Sequence, residues 1–128
     1  MALRSQLSDL FAEYGVDIVL QGHDHTYSKT YPIGLNSVVN TQLQNENISG
    51  IDYCTNANGV IYIMNGAAGN QSRTVFDADE ELYELSGNSS AYSWAELEVS
   101  EDLLSVKVYN YKISTKETVL WNSYGIKK

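Results

Sequence analysis

The last third of the chain repeats with a period of two. In "YSWAELEVS" (92–100) Ala95, Leu97 and Val99 alternate with Trp94, Glu96 and Glu98. In "LLSVKVYNYKI" (103–113) Leu104, Val106 and Val108 alternate with Ser105, Lys107 and Tyr109. Successive side chains of a strand point to opposite faces, so each run is a strand with one apolar face. Turns near Ser100 to Asp102 and Ser114 to Lys116 join these runs to each other and to "ETVLW" (117–121). The result is an antiparallel meander. Its apolar face has to be covered by a second layer.

The N-terminal region supplies other elements. Leu3, Leu7, Leu10, Phe11 and Tyr14 recur at helical spacing, and Gly15 is a natural stop, so the pattern predicts an amphipathic helix over 3–14. "VDIVLQG" then reads as a short buried strand around Ile18, Val19 and Leu20. "TYSKTYPI" extends to Pro32, and the Asn-, Gln-, Ser- and Thr-rich residues 34–58 read as a loop excursion. "GVIYIMNGAAG" gives a buried strand at 60–64 and a glycine-rich turn. The acidic "VFDADEELYEL" (75–85) reads as a short helix, with Asp77 as its N-cap. Asp77, Asp79, Glu80 and Glu81 there have the character of a solvated acidic face. Fold class is therefore α/β, mostly β, with the 128 residues forming one domain or part of one.

Charge excludes one class of partner. With 16 acidic and 8 basic residues the net charge is -8, and no basic stripe is present to displace counterions from nucleic acid. No apolar run has the length of a membrane helix. The lone Cys54, in "DYCTNAN", has no base or cation beside it and reads as a small buried residue.

Both histidines of the chain fall in "QGHDHTYSKTYP", one residue apart, where the first strand ends. In α/β units functional groups gather at the carboxyl ends of strands. Alternate residues on an extended segment share a face roughly 6–7 Å apart. His23 and His25 so placed can chelate one metal or reach two neighbouring metals. Asp24 between them can orient a neighbouring group, and Gly22 is assigned the tight turn that lifts the rings off the strand. The plain reading, surface polarity, stands beside the metal-ligand one.

Gly22-His23-Asp24-His25 resembles the G-H-x-H motif of calcineurin-like metallophosphoesterases. The preceding "LRSQLSDLFAEYGVDIVLQ" is similar to the helix and strand that lead into that motif, and "GHDHTYSKTYPI" is most similar to the purple acid phosphatase-like members. "GVIYIMNGAAGNQS" and "SWAELEVSEDLLSVKVYNY" resemble the next strand with its small-residue turn and the C-terminal hairpin. The resemblance implies the C-terminal part of a two-sheet α/β sandwich hydrolase. Two metal ions, drawn from Fe, Mn and Zn, activate water against a phosphate ester in that family. It further implies that His23 ligates one metal and His25 the other. Tyr27 and Tyr31 line the cleft or pack its wall, Asn65 and Asn70 touch substrate, and Gly66 on the same cleft lets phosphate or another backbone come close or makes a plain turn. The family's D-x-H, G-D-x-x-D and G-N-H segments are not in these 128 residues. The expectation is a truncated, inactive portion of a phosphatase, with the non-catalytic β-rich binding module as the alternative. Strand edges left uncovered in such a portion predict self-association through 18–20 or 60–64. An extracellular or cell-surface location follows from the resemblance alone.

Overall fold

The computed structural model describes residues 2–69, 82–87 and 92–128. Helix α1 spans Ala2–Glu13. Gly15 ends it in the left-handed region (φ 67), with its N–H donating to Ala12 and that of Val16 to Phe11. This is the Schellman closure that a glycine at that position permits.

Strands β1 (Ile18–Gln21), β2 (Tyr27–Thr30), β3 (Asn45–Ile48), β4 (Ile51–Cys54) and β5 (Ile61–Asn65) follow. Then come β6 (Tyr83–Gly87), β7 (Tyr92–Val99), β8 (Leu103–Lys112) and β9 (Glu117–Lys127). They form two mixed sheets, ordered β1-β5-β2-β6 and β3-β4-β9-β8-β7. β1 runs parallel to β5, and β4 runs parallel to β9.

The sheets face each other across one core. Tyr27, Ile61 and Ile63 from the first meet Val106, Val108, Tyr124 and Ile126 from the second. The alternation read from the sequence is realised in β8, where Val106 and Val108 are fully buried, although Ser105 on the other face is buried as well. The turns at 100–102 and 114–116 close as expected. Ser100 and Leu103 exchange hydrogen bonds, and Lys116 takes a positive φ while its N–H donates to Lys112.

Four sequence expectations need correction. β1 is not buried: it is an edge strand, and its Leu20 is 55% exposed. Residues 34–58 are not wholly a loop, for they contain the β3–β4 hairpin, added to the second sheet beside β9. Its turn is made by Ser49 and Gly50, both at positive φ, the backbone that suits a two-residue hairpin. Side-chain amides stitch the arms that lead into it: Asn40 donates to Asn56 and Ala57, and Asn56 donates to Gln42. The third correction is that β9 runs on to Lys127, well past the "ETVLW" segment. The fourth concerns 75–85. Residues up to 81, with Asp77, Asp79, Glu80 and Glu81, lie outside the described residues, and 83–85 belong to strand β6 rather than to a helix.

Candidate functional site

Topology dictates where the histidines go. β1 and β2 lie on either side of β5, so the connection 22–26 has to cross over the carboxyl end of β5. That crossing segment is Gly22-His23-Asp24-His25-Thr26. The next connection begins at the same end, because Gln21 and Met64 are register partners in parallel strands. The histidine loop and the Gly66-Ala67 turn are therefore stacked at one end of the sheet.

The contact between them is backbone to backbone. The Gly66 N–H donates to the Thr26 carbonyl at 3.2 Å. A Cβ at Gly66 would fall 1.9 Å from the Asp24 carbonyl oxygen, so only glycine fits. On its other side the turn is tied to the second sheet. The Ser93 hydroxyl of β7 donates to Asn65 Oδ1 at 2.6 Å, and the Ser93 N–H donates to the Ala67 carbonyl at 3.4 Å. Ser93 is 1% exposed.

The loop itself is bent, not extended. His23 has φ 89, a region that residues with a Cβ avoid at a cost of about 1–3 kcal/mol. Gly22 has no neighbour within 4 Å of a notional Cβ and no positive φ, so the turn assigned to it belongs to His23. His23 and Asp24 are exposed, and His25 is half-buried. Imidazole is a common metal ligand, and two rings on one strained, accessible loop fit a place among the ligands of a metal site. Among the described residues no group of three His, Cys, Asp or Glu side chains could complete one.

The remaining site expectations resolve individually. Tyr27 does not line an open cleft. It is 2% exposed, in the core, edge-on to Trp121 at 5.0 Å. Asn65 uses its side-chain oxygen on Ser93, and Gly66 is filled against Asp24. Asn70 lies outside the described residues. Cys54 is buried and free, as its flanks suggested, and its thiol faces Asn56 Oδ1 at 3.5 Å.

A polar cluster between the sheets was not anticipated. Lys29 is 5% exposed, pairs with Glu84 at 2.8 Å and lies 3.8 Å from the centre of the Tyr124 ring. The Tyr27 and Tyr124 hydroxyls adjoin each other and have no other partner among the described residues. Burial, with a smaller contribution from the Glu84 charge, pushes the Tyr27 phenol up to about 12, while the neighbouring Tyr124 hydroxyl opposes the rise. Burial also raises Tyr124, and Tyr27 and Glu84 add to that rise. The signal in the sequence was a lysine on the inward phase of a strand, beside Tyr27.

Comparison with known proteins points one way. The chain is 37% identical over 82 residues to an acid phosphatase of Aspergillus ficuum, covering 62% of this chain and 13% of that protein. It is 37% identical over 67 residues to human acid phosphatase type 7, covering 52% of the chain and 14% of the relative. The mouse acid phosphatase type 7 is 36% identical over 63 residues, covering 49% of the chain and 13% of the relative. No family model matches the chain, and no solved structure matches it significantly. The chain thus spans about an eighth of the length of these relatives, and over that stretch it is similar to acid phosphatases.

Proposed function

We propose that this chain is a portion of a metal-dependent phosphoesterase of the calcineurin-like, purple acid phosphatase-like type. In this reading the whole enzyme hydrolyses phosphate esters, and His23 and His25 are ligands to two different metal ions, drawn from Fe, Mn and Zn. The observation that carries it is the histidine loop itself. It crosses the carboxyl end of β5, holds His23 at a strained φ of 89, and lies in a chain similar to acid phosphatases. Metal ions bound there would supply a water acidic enough to attack phosphorus and would neutralise charge on the ester oxygens. The chain's own part is positional: β1 and β2 bring the two imidazoles to the sheet end, and the Gly66 turn supports them from below. The remaining ligands belong to a longer polypeptide.

Turnover of an aryl phosphate tests this. The 128-residue chain with Mn, Fe or Zn is expected to show none, because two imidazoles alone make an incomplete site. Turnover that disappears in the His23→Ala, His25→Ala double variant would sink the claim of inactivity. In a longer enzyme that contains this segment, each single alanine variant should lose both rate and metal content. Full metal content and rate without both imidazoles would return the chain to the alternative, a β-rich binding module.

A further inference from the structure

We propose that Gly66 is a positioning residue that sets the geometry of the His23–His25 pair, an inference that rests on the metal-ligand reading above. The loop bearing the histidines is exposed for three of its first four residues, and its backbone departs from any regular element. Left to itself such a loop samples many arrangements, and two imidazoles that must bind together lose affinity for each arrangement they have to give up. Gly66 removes that freedom. Its missing side chain leaves the space that the Asp24 carbonyl occupies, and its N–H holds the Thr26 carbonyl at 3.2 Å. Asp24 and Thr26 are the residues on either side of His25. His25 is therefore gripped through the backbone on both flanks, and His23 through Asp24. The grip is itself anchored, because Asn65 and Ala67, the neighbours of Gly66, are both held by Ser93 of the opposite sheet.

An alanine at Gly66 would overlap a backbone carbonyl, which a rotamer change cannot relieve, so the histidine loop has to lift. Gly59 provides the control. A Cβ there would fall 2.6 Å from the Ile33 carbonyl carbon, a comparable backbone overlap against the 31–34 segment. Gly59→Ala should cost stability without disturbing the histidines.

The test is Ni2+ binding to the whole 128-residue chain, measured by calorimetry, with imidazole resonances followed by NMR. The expected result for Gly66→Ala is a folded protein whose Ni2+ affinity falls by about tenfold, the low end of the loss seen when a ligand's supporting contact is removed. Its imidazole resonances should move before any metal is added. Gly59→Ala should keep the original affinity once unfolded molecules are discounted. Should Gly66→Ala fail to fold, Ser93→Ala, which releases Asn65 without adding an atom, should lower the affinity by up to about tenfold. Unchanged Ni2+ affinity in a folded Gly66→Ala protein, or in Ser93→Ala where the glycine variant does not fold, overturns the inference and leaves the ligand assignment standing. Equal Ni2+ binding by the parent chain and its His23→Ala, His25→Ala variant overturns the ligand assignment instead.

Discussion

His23 holds a backbone conformation that glycine adopts freely and histidine does not. Residues kept in such a region persist because their surroundings over-determine them, and they concentrate at ligand sites. His23→Gly should therefore raise the stability of the metal-free chain by about 1 kcal/mol while removing one of the two imidazoles proposed to bind metal. Urea unfolding of the two proteins measures this, and a lower midpoint for the glycine variant would show that the loop is unstrained. The two histidines were legible as a pair because the chain has no others and they follow a strand. What the sequence did not disclose was which residue turns. A glycine beside the pair made Gly22 the obvious choice, yet φ is set by the path over β5, and that path loads the strain on His23. Gly66 was legible as a residue that lets something come close, but whether phosphate or backbone approaches depends on a neighbour 42 positions away in the sequence, Asp24.

At the scale of elements, legibility followed burial. The β7–β8 hairpin announces itself because one face is apolar, and its register pairs Ala95 with Val108 and Leu97 with Val106. The β3–β4 hairpin was missed because it is a polar add-on at a sheet edge, mostly exposed along β3, and no alternation marks it. Its one local signal was Ser49-Gly50. The far half of β9 was missed for a different reason. Between Leu120 and Asn122 the strand carries an extra residue, Trp121, relative to β8. Such a bulge shifts the alternation by one and re-aims a side chain. Here it delivers the Trp121 ring onto Tyr27. β2 and β6 are joined by the Lys29–Glu84 pair as well as by their ladder. Glu84→Gln would leave the Lys29 ammonium buried without a counter-charge. A loss of about 2–3 kcal/mol is expected, below the figure for a fully buried pair because Glu84 is partly in water. Chemical denaturation measures it, and a change within 0.5 kcal/mol, roughly the range of surface substitutions, would mean that the pair is dispensable.

The whole molecule is two sheets closed on a core that contains two neutral phenols. In the unfolded chain a tyrosine ionises near pH 10, whereas Tyr27 in the fold does so at about 12 and Tyr124 is also raised. The native state therefore keeps protons that the unfolded state gives up. Stability from this source is fully present below about pH 10 and declines as pH rises toward 12, by on the order of 2 kcal/mol for Tyr27 alone. Melting temperatures between pH 9 and 12 should fall less in the Tyr27→Phe, Tyr124→Phe double variant than in the parent; parallel slopes would remove the phenols from the account. The outer boundary of the first sheet carries a second expectation. β5 is paired on both sides, so the strand at 61–65 offers no edge, and of the two strands expected to mediate self-association only β1 remains. Leu20, 55% exposed on this edge strand, makes that edge adhesive. Light scattering should show a concentration-dependent dimer that Leu20→Lys weakens, and a monomer at all concentrations would count against it.

Ser93 sits in one sheet and holds the turn beneath the histidine loop of the other. Any ligand that orders that loop is thus thermodynamically linked to closure of the sandwich, since binding to the folded form alone raises its stability. The link has a local reporter. The Ser93 amide, bonded to Ala67, should exchange its hydrogen more slowly as such a ligand is added, with the same midpoint as the binding curve, although Ser93 lies on β7 and not on the histidine loop.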